Sequence, residues 1–153
     1  MVEEIFTDLT PLAEKSGITL ELAGDGVMTG SDALIYRMIF NLTENAIKYN
    51  RPDGSVQVCI TQEPEKLLIL VSDTGRGIPE EYQQSIFQPF FRVDKSRSRT
   101  FGGAGLGLAL VWEIAALHGG SVRVAESSDS GTTIAAELPR SGNHAADPKN
   151  EML

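Results

Sequence analysis

The sequence of 153 residues is poor in cysteine, histidine, aromatic side chains and positive charge, and these shortages exclude several classes of protein. Its single cysteine, Cys59, cannot form an internal disulfide and is typical of a reducing compartment. The chain has 13 basic and 21 acidic residues, and this formal net charge of -8 argues against nucleic acid as a partner. No apolar run approaches the about 20 residues of a membrane span. We therefore expect a cytoplasmic domain that is not itself membrane-embedded, whether or not a longer parent protein is membrane-anchored.

Turn residues divide the chain into alternating helical and strand-like segments. Helices are predicted over residues 2–15, 31–49, 80–87 and 106–118, with Ser31 or Asp32 as the cap of the second. Strands are predicted over residues 18–23, 27–30, 55–62, 66–73, 121–127 and 132–139. Strand pairs alternating with helices predict an α/β fold, a two-layer sandwich. The domain should span residues 1–139, and the polar residues 140–153 should form a disordered tail.

The second predicted helix carries a row of polar side chains beside its apolar face. At about 100° per residue, its apolar residues form one stripe: Ile35, Met38, Ile39, Leu42, Ala46 and Tyr49. Asn41, Asn45 and Lys48 form a row along the edge of that stripe. Asparagine is unfavourable inside helices because its side chain competes for backbone hydrogen bonds. The row is therefore either the wall of a ligand cleft or a solvated flank, and this helix alone does not decide.

Two further segments supply a carboxylate and a glycine-rich helix start. In VSDTGRGIP, Asp73 ends a buried strand and precedes Gly75 and Gly77, which suits a site that reads a ligand's hydrogen-bond donor. Aspartate and glycine are also common in plain turns. In GGAGLGLAL, Gly102–Leu110, glycines enter a helix N-terminus that favours phosphate, although the spacing matches neither a P-loop nor a dinucleotide fingerprint. Basic residues precede it: Arg92, Lys95, Arg97 and Arg99. Together the segments predict a polyphosphate ligand.

In this order and spacing, the segments resemble the ATP-binding catalytic domain of sensor histidine kinases, in the superfamily of gyrase, Hsp90 and MutL ATPases. NLTENAIKY resembles the family's N-box, DTGRGIP its first glycine motif and GGAGLGLAL its second. FQPFFR resembles the phenylalanine motif, and GTTIAAELP resembles the closing strand. The resemblance extends from Gly30 to Pro139. It implies a Bergerat-type ATP-binding fold, with a mixed sheet of about five strands packed against about three helices.

The resemblance implies ATP and Mg²⁺ as cofactors and assigns residues to the two ends of the nucleotide. Three implied catalytic residues serve the phosphates: Asn45 would coordinate Mg²⁺, Asn41 would hold its water shell, and Lys48 would contact phosphate. Asp73 would accept a hydrogen bond from the adenine amino group, with support through water from Thr132. The other implied nucleotide contacts are Tyr49, Gly75, Gly77, Ile78, Arg92, Lys95, Gly103, Gly105, Leu106, Gly107 and Leu108.

The implied function is transfer of the ATP γ-phosphoryl group to a histidine on a separate dimerisation domain, which then serves a response regulator. In related ATPases a glutamate at the position of Asn41 activates water, and an amide cannot act as that base. Glu44 lies about 60° from Asn41 around the helix and is assigned no such role. His118 is expected to cap a helix and His144 lies in the tail, so neither is the expected acceptor. The alternatives are a serine kinase of the anti-sigma type and a nucleotide-binding scaffold without catalysis.

Overall fold

The computed structural model describes residues 1–91 and 107–141, together with the backbone of residues 151–152. Its α-helices are α1 (Val2–Lys15), α2 (Asp32–Lys48) and α3 (Gly107–Leu117). Its strands are β1 (Thr19–Gly24), β2 (Thr29–Gly30), β3 (Ser55–Gln62), β4 (Lys66–Asp73), β5 (Ser121–Ser128), β6 (Gly131–Pro139) and β7 (Glu151–Met152). Apart from β7, which is not predicted and lies in the segment 140–153, these elements match the predicted segments to within a few residues at their ends.

One predicted helix, over residues 80–87, is wrong in type. The structure has two single 3-10 turns there, Glu80–Tyr82 and Ser85–Phe87. So short a segment supplies too few backbone hydrogen bonds to offset the nucleation of an α-helix. Between the two turns, Gln83 instead donates a hydrogen bond from Nε2 to the carbonyl oxygen of Ile78 at 3.0 Å.

Five strands form one mixed sheet in the order β1-β3-β4-β6-β5. β1 is parallel to β3, and α2 lies between them in the chain, whereas the other neighbouring strands are antiparallel. The three α-helices pack on the sheet face that carries Val58, Ile69 and Ile134. The structure therefore confirms the two-layer α/β sandwich, with five strands against three helices in the part of the chain that it describes.

β4 is the central strand, as its almost continuous apolar sequence predicts. Leu67, Ile69 and Val71 are buried towards the helices. Because β6 runs antiparallel beside it, β6 begins where β4 ends. This pairing places Asp73 at the end of β4 next to the turn between β5 and β6.

α2 is anchored at its start and packs along most of its predicted stripe. Ser31 caps the helix by accepting a hydrogen bond from the backbone N–H of Leu34 at 3.3 Å. Of the six stripe residues, five are buried, but Tyr49 is 37% exposed because it follows the last residue of the helix. The assignment of Tyr49 to the core stripe is therefore wrong.

α1 contacts a second apolar strip of α2, formed by Tyr36, Phe40 and Ile47, at Tyr36. From the sequence alone, this strip is equally suited to the N-terminal helix or to another domain. The Tyr36 hydroxyl donates to the carboxylate of Asp8 on α1, and Ile47 is buried in the core. α1 itself runs through Pro11, which lies on its exposed side.

The end of the chain returns to the domain at one point. β7 pairs antiparallel with β2, with Thr29 opposite Met152. Residues 142–150 lie outside the described residues, so the predicted boundary at residue 139 and the disordered tail stay predictions. Within the described residues, no helix is both long enough and apolar enough to cross a membrane.

Candidate functional site

The Asp73 carboxylate is held by the backbone on one side only. Its Oδ1 accepts hydrogen bonds from the N–H of Gly75 at 2.9 Å and from the N–H of Thr132 at 3.2 Å. Among the described residues, no donor contacts Oδ2. Burial raises the pKa of the Asp73 carboxyl above its usual value, and the two backbone N–H groups oppose this rise. One carboxylate oxygen is thus fixed in place, and the other has no hydrogen-bond donor among the described residues.

The loop after Asp73 needs its glycines because it touches two other segments. A Cβ at Gly75 would lie 2.6 Å from the carbonyl oxygen of Tyr49, at the end of α2. Gly77 has a φ of +80°, and its Cβ would lie 2.1 Å from the carbonyl oxygen of Ser128. The glycines let this loop close against α2 on one side and against the β5–β6 hairpin on the other.

Two buried hydrogen-bond groups hold the same loop, and the sequence motifs do not identify them. Asn50 is 5% exposed, and its Oδ1 accepts from the hydroxyl of Thr74 at 2.9 Å. Asn50 also donates from Nδ2 to the carbonyl oxygen of Ser55 at 2.8 Å. On the other side, Ser127 accepts from the N–H of Ile78. From the sequence, Asn50 is only a helix stop, and no pattern marks Ser127.

The polar row on α2 lies at the edge of the core, as predicted. Asn41 is 9% exposed, and its Nδ2 lies 3.5 Å from the carbonyl oxygen of Gly107, the first residue of α3. Asn45 is half-buried, and its side chain has no hydrogen-bond partner among the described residues. Lys48 forms an ion pair with Glu44, with Nζ 3.6 Å from Oε1. Asn41 therefore faces the start of α3, and the Asn45 amide is unpaired among the described residues.

The structure brings six of the predicted site residues together around the end of β4, and it separately joins Asn41 to Gly107. Asp73, Gly75, Gly77, Ile78 and Thr132 are linked by hydrogen bonds and close packing, and Gly75 lies against Tyr49. Leu108 packs against the core, and Gly107 is exposed with open space around its Cβ position. The remaining predicted residues lie outside the described residues: Arg92, Lys95, Gly103, Gly105 and Leu106.

Thr132 reaches Asp73 more directly than expected. Its own backbone N–H donates to the carboxylate, while its hydroxyl lies 3.0 Å from the hydroxyl of Ser127. The support through water that the resemblance implies stays a prediction.

The residues that could hold Mg²⁺ are amides. Within the described residues, no group of three or more His, Cys, Asp or Glu side chains is placed to hold a metal ion. The Asn45 side chain is half-buried and unpartnered there, and an amide oxygen is a suitable hard ligand for Mg²⁺ when waters complete the octahedron. The residues present therefore fit a magnesium site with few protein ligands.

His118 is engaged at both ring nitrogens. It is 4% exposed, its Nδ1 lies 2.8 Å from the carbonyl oxygen of Ile114, and its Nε2 accepts from the N–H of Ser31 at 3.2 Å. Both bonds together require the neutral form with the proton on Nδ1. His118 thus ties the end of α3 to the start of α2, in agreement with the predicted structural role. His144 lies outside the described residues.

Comparison with solved structures shows the class of the fold. The chain superposes on the mycobacterial sensor histidine kinase MprB with a TM-score of 0.77 and 30% identity, covering 93% of this chain and 97% of that one. Full-length ShkA in complex with AMPPNP gives a TM-score of 0.78 at 25% identity, over 94% of this chain and 30% of ShkA. The fold is that of histidine kinase catalytic domains.

Comparison of sequences identifies the family. Residues 30–142 match the model described as histidine kinase-, DNA gyrase B-, and HSP90-like ATPase, and the chain belongs to this family. The sensor histidine kinase RppB of Synechocystis sp. is 34% identical over 142 residues, which is 91% of this chain and 31% of RppB. The chain therefore spans about a third of the length of this relative.

Proposed function

We propose that the chain is the ATP-binding catalytic module of a sensor histidine kinase. It transfers the γ-phosphoryl group of ATP to a histidine on a separate dimerisation domain. The observation that carries the proposal is the Asp73 carboxylate, with one oxygen fixed by two backbone N–H groups and the other left open beside a glycine loop. The sensor histidine kinases among its relatives, and the AMPPNP bound to ShkA, support the choice of an adenine nucleotide.

At the adenine end, Asp73 reads the base. An ionised carboxylate only accepts hydrogen bonds, so its open Oδ2 suits the amino group of adenine and opposes the carbonyl of guanine at the same place. Gly75, Gly77 and Ile78 shape the pocket, and Thr132 supports the base through water. The exposed ring of Tyr49 packs on the adenine or the ribose.

At the phosphate end, Asn41 lies against the start of α3, and Asn45 and Lys48 follow it along the same edge of α2. Asn45 would hold Mg²⁺, and the ion would supply positive charge to the phosphate oxygens. Asn41 would hold the water shell of the ion, and Lys48 would contact phosphate. By resemblance to the family, Arg92 and Lys95 would contact phosphate, and Gly103, Gly105, Leu106, Gly107 and Leu108 would close the lid. All of these except Gly107 and Leu108 lie outside the described residues.

The module keeps the γ-phosphoryl group until an acceptor arrives. Asn41 carries an amide, which cannot remove a proton from water. Glu44 is the carboxylate of α2 nearest to Asn41 in the sequence, it is ion-paired with Lys48 at 3.6 Å, and we assign it no general-base role. His118 has both ring nitrogens hydrogen bonded, which disfavours it as the acceptor, and His144 lies outside the described residues. We place the acceptor histidine on the separate dimerisation domain. A response regulator then receives the phosphoryl group from that domain, in the cytoplasm.

Calorimetric titration with ATP and GTP tests the proposal. We expect adenine-selective binding that strengthens with Mg²⁺, without release of phosphate. Leaving one buried polar group unpaired costs about 1–3 kcal/mol, so Asp73→Ala should weaken ATP binding by about 5- to 150-fold. Asp25→Ala is the control, because it removes an exposed carboxylate at the other end of the sheet. Equal affinity for ATP and GTP would contradict the adenine assignment.

Transfer to the acceptor is tested separately. When the wild-type chain is mixed with the dimerisation domain of its parent protein and labelled ATP, the label should appear on histidine of that domain. Rapid release of inorganic phosphate in its place would assign the chain to the hydrolytic branch of the family.

A further inference from the structure

A β-bulge in β5 turns Ser127 towards the site. Val122 and Val124 face the helices, and strict alternation along the strand would point Ser127 to the opposite face. The register shifts between Val124 and Glu126, and Ser127 then stands directly opposite Thr132 of β6, which is 5% exposed. The extra residue of a bulge moves the side chains that follow it to the opposite face of the sheet. Ser127 therefore shares the face of Thr132.

The Ser127 hydroxyl joins three segments of the site. Its Oγ accepts a hydrogen bond from the N–H of Ile78 at 2.8 Å and lies 3.0 Å from Oγ1 of Thr132. The N–H of Thr132 in turn donates to Oδ1 of Asp73 at 3.2 Å. One hydroxyl thus links the end of the glycine loop to the strand that holds the carboxylate.

The contacts around this hydroxyl leave little freedom. Gly77 packs against the neighbouring Ser128, where an added Cβ would lie 2.1 Å from the carbonyl oxygen. Ile78 is half-buried, and loss of the Ser127 hydroxyl would leave its N–H without this acceptor. The separation between Ile78 and Asp73, which lie at the two ends of the loop, therefore depends on Ser127.

We propose that Ser127 is a positioning residue for adenine selectivity. By holding Ile78 and Thr132 together, it sets the width of the pocket and the place of the Asp73 carboxylate without touching the nucleotide. This role rests on the proposed function of the site. It predicts that loss of the hydroxyl weakens binding of adenosine and of ATP by the same factor, because the phosphates are not involved.

Calorimetric titration of three variants with adenosine, ATP and GTP tests this role. Ser127→Ala should weaken adenosine and ATP equally, by about 5-fold for one lost hydrogen bond, and reduce the preference for ATP over GTP. Ser127→Thr keeps the hydroxyl and should restore most of the affinity. Ser128→Ala is the matched control, because Ser128 is the exposed next residue and its Oγ accepts only from the N–H of Ser130.

The outcomes separate this role from the proposed function. Suppose that the wild type prefers ATP and that Ser127→Ala has the same affinity for ATP and the same preference over GTP as the control Ser128→Ala. The positioning role is then wrong and the proposed function stands. If the wild type does not distinguish ATP from GTP, the proposed function fails and the role fails with it. A lower melting temperature of Ser127→Ala with unchanged nucleotide affinity would mean a purely structural serine, which also overturns the role.

Discussion

The adenine end and the phosphate end of the site are built in opposite ways. Around Asp73, most polar groups are already paired: Oδ1 of the carboxylate accepts from two backbone N–H groups, and Ser127 and Asn50 each bridge the glycine loop to another segment. On α2, Asn41 has only a 3.5 Å contact with a carbonyl oxygen, and Asn45 has no side-chain partner among the described residues. The adenine end is therefore pre-formed, whereas at the phosphate end the described residues leave side-chain hydrogen-bonding atoms unpaired.

This difference fits the two parts of the proposed ligand. A neutral base offers weak interactions, so its selectivity depends on groups that are held before it arrives. A triphosphate with Mg²⁺ brings its own charge and can order the residues around it. The two ends should therefore respond differently to mutation.

At the open end, the largest expected effect is the loss of Asn45. Asn45→Ala should weaken Mg²⁺-dependent binding of ATP by about 10- to 100-fold, the range seen even for groups that only support metal ligands. Binding of adenosine should not change. Calorimetric titration with and without Mg²⁺ measures both. Gln57→Ala is the control, because Gln57 is an exposed amide on the face of the sheet away from the helices. Equal loss with adenosine would contradict the metal role.

Gly77→Ala should disturb the pre-formed end. A Cβ there meets a φ of +80° and a carbonyl oxygen at 2.1 Å, and such strain costs about 1–3 kcal/mol of unfolding free energy. Gly107→Ala is the matched control, because nothing lies within 4 Å of its Cβ position and alanine favours a helix. Thermal unfolding should show a lower melting temperature for Gly77→Ala alone. Similar melting temperatures for the two variants would argue against the tight packing of this loop.

Lys48 and Glu44 should change ATP binding in opposite directions. Lys48→Met removes a phosphate contact at a partly exposed position and should weaken ATP binding by about 5-fold, without effect on adenosine. Glu44→Gln removes a negative charge beside the phosphates and frees Lys48, so ATP affinity should stay the same or rise. A loss of affinity in Glu44→Gln would show that the ion pair positions Lys48, contrary to our account.

The smallest expected effect is the pH dependence of stability without ligand. The folded-state pKa of Asp73 is raised by burial, so the folded state favours the protonated carboxyl. Its stabilising contribution is present below the usual aspartate pKa and is lost as the pH rises through the raised value. Asp73→Asn has no charge to bury at any pH. As the pH rises from the usual aspartate pKa through the raised value, the melting temperature of the wild type should therefore fall relative to that of Asp73→Asn. Parallel melting curves across pH would contradict the raised pKa.

Much of the site follows from the sequence because its main signals are local. The 3.6-residue period of α2 places Asn41, Asn45 and Lys48 beside the core stripe, and the structure has this row at the edge of the core. The strand pattern places Asp73 at the end of a buried strand, and the glycines that follow are required by close contacts.

The remaining features depend on contacts between distant segments. Alternation along β5 points Ser127 away from the site, and only the bulge, which the sequence does not mark, reverses this. Asn50 is a helix stop in the sequence, yet its amide is buried between a strand and the glycine loop. Tyr49 continues the apolar period but lies beyond the end of α2, and therefore is exposed.

The most direct test compares adenosine, ADP and ATP with Mg²⁺ as ligands of Asp73→Ala and Asn45→Ala in calorimetric titrations. Our account predicts that Asp73→Ala weakens all three ligands by the same factor. It predicts that Asn45→Ala leaves adenosine unchanged and weakens ATP most. If both variants weaken the three ligands alike, or if Asp73→Ala affects only the phosphorylated ligands, then the division of the site into a pre-formed adenine end and an open phosphate end is wrong.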